Sequence, residues 1–236
     1  MPLLPAAWRK TRPTHPAFCR NREEFRRIDQ AGPIAAYDFV VFDTELTGLD
    51  ERRDEILAIG AVRIRELKIV AADTFHTYVR PEGSAVNQQT LIHRITPQQL
   101  AGAPSLATVL PDFVDYCGTA LLVGHSVGID VGFVNRAAKL LFDAELRNPC
   151  LDTLRLAQVY TEKCWQHYFD RYRHLLYDLE SLSRRYGLPE FGRHDALQDA
   201  LQTAYLFLFL VRQLERYGLV TLKDLFGAGR FRPGIF

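Results

Sequence analysis

The sequence predicts an α/β fold in which helices cover both faces of a mixed β-sheet. Three apolar segments early in the chain, residues 37–43, 55–64 and 70–79, have the length and composition of strands. The second half shows mostly helical periodicity, interrupted by one short apolar strand at residues 120–124. A chain of 236 residues that is 47% hydrophobic can bury one such domain together with extensions. Strands followed by alternating helices and a strand favour a sheet with helices on both sides.

Each element has a local signal. Residues 37–43 are apolar until they reach an aspartate, as expected for a strand buried on both faces. A polar turn at residues 65–68 joins the second and third strands into a hairpin. Glycines end the last two helices. The predicted helices are residues 106–116, 129–141, 151–160, 178–186 and 195–217.

The composition divides the chain into three parts: an N-terminal extension at 1–35, a folded domain at 36–218 and a C-terminal tail at 219–236. The extension is rich in proline and arginine, which favours a partly ordered arm, and an arm that contacts a partner or nucleic acid is the alternative. A short helix at 22–29 is predicted within it, with Phe25 and Ile28 as docking residues. The tail, which includes Gly227, Gly229 and Pro233, is predicted to be loosely ordered.

Bulk properties exclude several classes of protein. A net charge of +1 argues against a protein that coats duplex nucleic acid, although a local site remains compatible with it. The four cysteines form no C-x-x-C pair, which argues against a zinc ribbon or a disulfide scaffold. No apolar run is long enough for a membrane span, and the start lacks the order of charges of a secretory signal. The sequence therefore predicts a cytoplasmic protein without a membrane partner.

Two carboxylates stand at the end of the first predicted strand, in the stretch FVVFDTELTGLD. Asp43 and Glu45 are two residues apart, so in an extended strand their side chains project to the same face. Asp130 is a third unusual acid, because it lies on the apolar stripe of its helix with Phe133 and Val134. A polar strand end and an acid favoured by the helix macrodipole are the structural alternatives.

The start of the last helix places two titratable residues where apolar ones usually pack. Asp195 and Gln198 resemble a capping box, which makes Asp195 the N-cap residue. His194 and Asp199 then occupy the two positions that commonly form a hydrophobic staple. A solvated helix start is the structural alternative for this pair.

The acids together predict a metal site. Asp43, Glu45, Asp130 and Asp199 would repel one another strongly if they converged, and a hard divalent cation such as Mg²⁺ or Mn²⁺ would relieve that repulsion. Two such ions can stabilise both the attacking and the leaving oxygen of a phosphodiester. Histidine can act as a general base near neutral pH, so His194 is the candidate for that role.

These motifs resemble those of the DEDDh 3′–5′ exonucleases, a family that includes the proofreading subunit of bacterial DNA polymerase III, RNase T and oligoribonuclease. The similar segments are FDTELTGLD, GHSVGIDVGFVNRA and HDALQDALQTA, with IHRIT and LDTLRLAQ as two further ones. The resemblance covers residues 37–217. It implies a ribonuclease H-like fold with a mixed five-stranded sheet.

The resemblance also implies the role of each site residue. Asp43, Glu45, Asp130 and Asp199 would hold two Mg²⁺ or Mn²⁺ ions, with Asp43 bridging both, and His194 would be the general base.

Contacts to the terminal nucleotide are implied for a second group of residues. The segment of the first motif holds the 3′ end in relatives, so Thr44, Thr47 and Leu49 are predicted nucleotide contacts, with Leu49 wedged against the terminal base. His93 and His125 are similar candidates, and polar side chains satisfied by nearby backbone are the alternative for both.

The reaction implied by the resemblance is hydrolysis of 3′-terminal phosphodiesters, with release of nucleoside 5′-monophosphates. Single-stranded or frayed DNA is the expected substrate, in proofreading or repair, and a DNA polymerase or a sliding clamp is a candidate partner. An RNA-trimming exoribonuclease is one alternative, and a non-catalytic module that docks on a polymerase or clamp is another. Residues 221–226, TLKDLF, faintly resemble a clamp-binding peptide, for which a simple helix end is the alternative.

Overall fold

The structure is a computed structural model. It describes residues 15–25, 27–83, 95–164, 176–192 and 194–231. His93, one of the predicted nucleotide contacts, lies outside the described residues.

The described residues form one mixed sheet of six strands, in the order β3-β2-β1-β4-β5-β6. The central strand β1 is antiparallel to β2 and parallel to β4, and the β2–β3 and β5–β6 pairs are antiparallel. The strands are β1 Phe39–Leu46, β2 Ile56–Arg65, β3 Lys68–Tyr78, β4 Leu121–Gly124, β5 Cys150–Asp152 and β6 Arg230–Phe231.

Helices lie on both faces of this sheet, which confirms the predicted α/β class. The helices are α1 Pro16–Glu24, α2 Pro97–Ala101, α3 Leu106–Cys117, α4 Gly128–Phe142, α5 Thr153–Cys164, α6 Leu179–Tyr186, α7 Ala196–Glu215 and α8 Leu222–Gly229, with a 3₁₀ turn at Ile34–Ala36. Side chains alternate along β1, so that Val40 and Phe42 pack under α3 and α4 while Phe39 and Val41 pack under α7.

Residues 219–231, the part of the tail that the structure describes, depart from the sequence-based expectation of loose order. Thr221 closes a capping box with Asp224 at the start of α8, and β6 adds a sixth strand where the resemblance implied five. Leu222 and Leu225 are fully buried and Phe226 is 7% exposed. The segment 221–226 is therefore a helix packed into the core, and its apolar side chains are not available to a sliding clamp.

The described residues of the extension also include regular structure. Its helix begins at Pro16 with His15 as N-cap, not at residue 22 as predicted, and it buries Phe18 against the α3–α4 layer. Phe25 caps this helix, and Ile28 packs on the opposite core. The three-part division of the chain stays a prediction, because packing alone does not define domain boundaries.

One predicted helix is wrong at its start. Residues 150–152 are strand β5, parallel to β4, and the helix begins only at Thr153.

Among the described residues, no helix combines the length and apolarity needed to cross a lipid bilayer.

Candidate active site

Two of the predicted acids lie at the end of the central strand, on the face that α7 covers. Asp43 and Glu45 share the side of β1 that carries Phe39 and Val41, as the strand periodicity requires. Glu45 is 4% exposed and Asp43 is half-buried. Thr44, between them, faces the opposite side.

A glycine lets the start of α7 approach this strand end. Gly60 of β2 is paired directly with Asp43 across the sheet. A Cβ atom at Gly60 would lie 2.1 Å from the carbonyl carbon of Ala196 and 2.2 Å from the backbone nitrogen of Leu197. The first turn of α7 therefore rests on β2 at a position where no side chain fits, and Asp199 is carried toward Asp43.

Three carboxylates converge as a result. Ligand oxygens of Asp43, Glu45 and Asp199 all lie within 4.8 Å of one another. Two come from a strand end and one from the first turn of a helix more than 150 residues later in the chain. Such a set of hard oxygen donors suits Mg²⁺ or Mn²⁺.

Asp130 approaches the same strand end from the other face of the sheet. It is 6% exposed, and its Oδ1 accepts hydrogen bonds from the backbone N–H of Thr44 at 3.0 Å and from the Thr44 hydroxyl at 2.5 Å. Asp130 is not a member of the three-carboxylate cluster. It is nevertheless near enough to act electrostatically on Asp43.

The electrostatics of the site confirm that the acids are crowded. Burial, with the charges of Asp130, Asp199 and Glu45, raises the pKa of Asp43 well above its usual range. Burial also raises the pKa of Asp130 to about 7, against the opposing effect of its two hydrogen bonds from Thr44. Bringing these groups together therefore destabilises their ionised forms in the absence of a cation.

His194 stands where two clefts meet. Its backbone lies in the left-handed region, with φ of 60°, and its N–H donates to Oδ2 of Asp199 at 3.1 Å. The larger cleft, about 300 Å³, also contains Asp43 and Asp199, and the smaller, about 140 Å³, also contains Glu45. Left-handed conformations in non-glycine residues are unfavourable and cluster at functional sites.

The predicted cap of α7 forms only in part. Asp195 accepts a hydrogen bond from the backbone N–H of Gln198 at 3.0 Å, as expected. In a full capping box the Gln198 side chain would accept a hydrogen bond from the backbone N–H of Asp195. Instead it accepts one from the backbone N–H of Gly192 at 2.6 Å. Gln198 thereby holds the loop that leads into His194.

The structure places the four described nucleotide-contact candidates in different environments. Leu49 is 75% exposed on the loop after β1, whereas Thr44 is 8% exposed and hydrogen-bonded to Asp130. Thr47 is buried, and its hydroxyl donates to Asp54 within the turn. His125 lines the larger cleft, with Nδ1 lying 2.9 Å from the hydroxyl of Thr153. Burial lowers the pKa of His125 to about 4, so this imidazole is neutral at pH 7.

Sequence reasoning missed a buried acid that supports this region. Asp152, at the end of β5, accepts a hydrogen bond from the backbone N–H of Ser126 at 3.0 Å, where φ is 55°. Thr153 donates to the carbonyl of Gly124 at 3.2 Å. These two residues hold the β4–α4 turn from which Asp130 follows. An aspartate directly after an apolar pair was the available signal, but the segment was interpreted as helical.

The three converging carboxylates form a site suited to a divalent cation at the end of the central strand of the mixed sheet. The profile of the RNase T family, described as an exonuclease family, matches residues 40–207, so the chain belongs to this family. The predicted resemblance to the DEDDh 3′–5′ exonucleases is confirmed.

Two proteins with similar sequences are named as DNA polymerase III proteins. A DNA polymerase III subunit epsilon-like protein of Rhodobacter capsulatus is 38% identical over 192 residues, covering 80% of this chain and 26% of that protein. A PolC-type DNA polymerase III of Thermotoga petrophila is 33% identical over 187 residues, covering 79% of this chain and 13% of that protein. The chain thus spans only a small part of these curated relatives.

Solved structures share the fold. The nuclease domain of 3′hExo, a DEDDh family member bound to rAMP, has a TM-score of 0.60 at 20% identity, covering 77% of this chain and 94% of that one. Escherichia coli exonuclease I in complex with a dT13 oligonucleotide has a TM-score of 0.62 at 16% identity, covering 77% and 42% respectively.

Proposed function

We propose that the chain is a 3′–5′ exonuclease that hydrolyses the terminal phosphodiester of single-stranded or frayed DNA and releases nucleoside 5′-monophosphates. The observation that carries this proposal is the convergence of Asp43, Glu45 and Asp199 within 4.8 Å, beside His194. The relatives named as DNA polymerase III proteins favour DNA as the substrate and a polymerase as a partner.

Asp43, Glu45 and Asp199 are proposed to hold two Mg²⁺ or Mn²⁺ ions together with Asp130, which approaches the same strand end from the other face of the sheet. When bound, such ions stabilise negative charge on the phosphate and make a coordinated water more acidic. The crowded carboxylates fit this role, because a cation would compensate both the burial and the repulsion between carboxylates that raise the pKa of Asp43.

His194 is proposed to accept a proton from the attacking water. Its position in the wall of both clefts leaves it next to Asp43 and Asp199 on one side and Glu45 on the other. Its backbone hydrogen bond to Asp199 ties its place to the cluster. A general base must lie within hydrogen-bond reach of the proton that it removes, and this arrangement provides such a place.

The substrate is proposed to lie in the larger cleft with its 3′ end at the acids. This cleft also contains Asp178, Glu180 and Glu190, so it is acidic despite the presence of Arg184. A phosphate backbone would be repelled from such a surface without a counter-charge. Binding of nucleic acid, and not only its cleavage, should therefore require the divalent cation.

Oligonucleotide digestion tests the proposal. Single-stranded DNA and RNA of one sequence, labelled at the 5′ end, would be incubated with the full chain in Mg²⁺, in Mn²⁺ or in EDTA. The expected result is stepwise shortening from the 3′ end, faster on DNA and absent in EDTA. Faster shortening of RNA would instead support the exoribonuclease alternative.

Two variants make this experiment decisive. Asp43→Asn should reduce cleavage by about a thousandfold or more, because it removes the central carboxylate of the cluster. Asp115→Asn is the matched control, since Asp115 is an exposed acid paired with Arg20 far from the site, and it should cleave normally. Activity in EDTA, internal cleavage or an active Asp43→Asn variant would overturn the proposal.

A further inference from the structure

Thr44 is the residue between the two strand-end acids, and its contacts differ from those of a substrate-binding group. It is 8% exposed and points away from the face that carries Asp43 and Glu45. Its backbone N–H and its hydroxyl both donate to the same oxygen, Oδ1 of Asp130, at 3.0 and 2.5 Å. The hydroxyl proton of Thr44 is therefore used in a hydrogen bond within the protein and is not offered to a nucleotide.

The two hydrogen bonds tie Asp130 to the strand that carries the other acids. A carboxylate that accepts two bonds at one oxygen from adjacent atoms of a rigid strand has little freedom to rotate. The N–H belongs to the peptide between Asp43 and Thr44, so the position of Asp130 follows that of Asp43. Without the hydroxyl, only one donor would remain, and α4 could place the carboxylate less accurately.

We propose that Thr44 is a positioning residue, which fixes the Asp130 carboxylate beside the strand-end acids, and not a nucleotide contact. The inference rests on the proposed function, in which Asp130 supports cation binding. Residues that orient the ligands of a metal typically affect metal affinity or activity by about 10- to 100-fold when they are changed.

A pair of substitutions separates the hydroxyl from the shape of the side chain. Thr44→Val keeps the branched shape and removes the donor, whereas Thr44→Ser keeps the donor. We expect Thr44→Val to weaken Mn²⁺ binding, measured by calorimetry without nucleic acid, by about 10- to 100-fold and to lower kcat while KM for the oligonucleotide stays unchanged. Thr44→Ser should restore both Mn²⁺ affinity and kcat to near wild-type values.

Controls exclude a general loss of structure. Thr161→Val removes the hydroxyl of a half-buried threonine that bonds to the carbonyl of Ala157 in α5, and it should change neither Mn²⁺ affinity nor kcat. Thermal unfolding would verify that Thr44→Val folds. If it does not, Thr44→Cys, which has a similar size and a weak donor, replaces it with the same expected loss.

Coupling to Asp130 completes the test. In an Asp130→Ala background the acceptor is gone, so Thr44→Val should cause no further loss of Mn²⁺ affinity. A full additional loss there, or a raised KM with unchanged Mn²⁺ affinity in the single variant, would overturn the positioning role. If wild-type protein cleaves no nucleic acid, the proposed nuclease function fails, while the Mn²⁺ titrations still decide the role of Thr44.

Discussion

At the scale of single residues, the site depends on forcing like charges together. The pKa of Asp43 is raised by burial and by three neighbouring carboxylates, so its ionised form is unfavourable until a cation is present. The surrounding fold has to hold these groups in place against their repulsion. The hydrogen bond from the backbone N–H of His194 to Asp199 and those from Thr44 to Asp130 are two of the means by which it does so.

The role of His194 can be tested separately from metal binding. His194→Gln should lower kcat by about 100- to 10,000-fold, the usual contribution of a general base, while Mn²⁺ affinity changes little because the carboxylates remain. Steady-state kinetics and calorimetry on the same preparation would measure both. His15→Gln is a suitable control, because His15 caps α1 away from the site. Unchanged kcat in His194→Gln would exclude the imidazole as the base.

The sequence predicted the identities of these acids but not all of their geometry. Strand periodicity placed Asp43 and Glu45 on one face, and their convergence with Asp199 is found in the structure. That Asp130 comes from the opposite face could not be predicted, because it depends on which layer α4 joins. The hydrogen bond from Thr44 to Asp130 could not be predicted either, since the two residues are 86 positions apart in the chain.

At the scale of elements, the decisive contact is that of α7 on β2. Gly60 allows the first turn of the helix to rest on the strand opposite Asp43. A glycine inside a strand pattern can signal close approach of another backbone, so the sequence contained this information without identifying the partner. The position of Asp199 relative to Asp43 therefore depends on the absence of one Cβ atom.

Substitution of this glycine should separate activity from overall folding. Gly60→Ala would place its Cβ about 2 Å from backbone atoms of Ala196 and Leu197, so the start of α7 must move and kcat should fall by roughly a hundredfold. Gly227→Ala is the matched control, because its Cβ would meet nothing within 4 Å. Kinetics together with thermal unfolding would report both effects. Normal activity in Gly60→Ala would contradict the close approach.

The extension provides the opposite case, an element that matters for stability without touching the site. Phe18 is 2% exposed and packs against Phe142, and Asn21 accepts a hydrogen bond from the backbone N–H of Arg147 at 2.7 Å. Phe18→Ala should lower the free energy of unfolding by about 3 kcal/mol, as for other buried phenylalanines, and leave kcat unchanged. Urea unfolding and kinetics would measure the two quantities. A large loss of kcat in the folded variant would link α1 to the site.

The two shortest strands, β5 and β6, could not be identified from the sequence pattern. Strand β5 has three residues and β6 has two, too few for a periodic signal. The helix α1 was predicted too late in the chain because charged residues at 22–29 resembled an amphipathic helix. The structure shows that Pro16 at its first turn and buried Ala17 and Phe18 define it instead.

At the scale of the whole molecule, the acids from both faces meet at one end of the central strand. β1 has the antiparallel hairpin β2–β3 on one side and the parallel strand β4 on the other. Its end is reached by α7 from one layer and, through the bonds between Asp130 and Thr44, by α4 from the second. This arrangement makes the stability of the entire fold depend on the charge of the site. The charges can be varied by pH and by added cations.

The pH dependence of stability has a definite sign. Burial raises the pKa of Asp130 to about 7 and the pKa of Asp43 well above the ordinary aspartate value of 3.8, and unfolding returns both to about that value. The folded state therefore binds more protons than the unfolded state between these limits, and its stability falls as pH rises through the folded pKa. His125 acts in the opposite sense, because its folded pKa of about 4 makes stability fall as the pH drops through 6.5. Its unfolded form is half protonated at pH 6.5, so above that pH its opposing effect is at most about 0.4 kcal/mol.

The carboxylates therefore dominate the pH dependence of stability in the window from about pH 6.5 to 8. In metal-free protein we expect the free energy of unfolding to decrease across it by on the order of 1–3 kcal/mol, measured by urea titration at each pH. Mg²⁺ should stabilise the protein at both ends of the window, and more at pH 8, where the carboxylates are ionised and bind it without releasing protons. Asp43→Asn should be more stable than wild type at pH 8 without metal and should show a smaller pH dependence, because one of the repelling charges is gone. A wild-type stability that rises with pH in this window, or an Asp43→Asn variant with the same decrease, would show that the acids are not packed together as the structure places them.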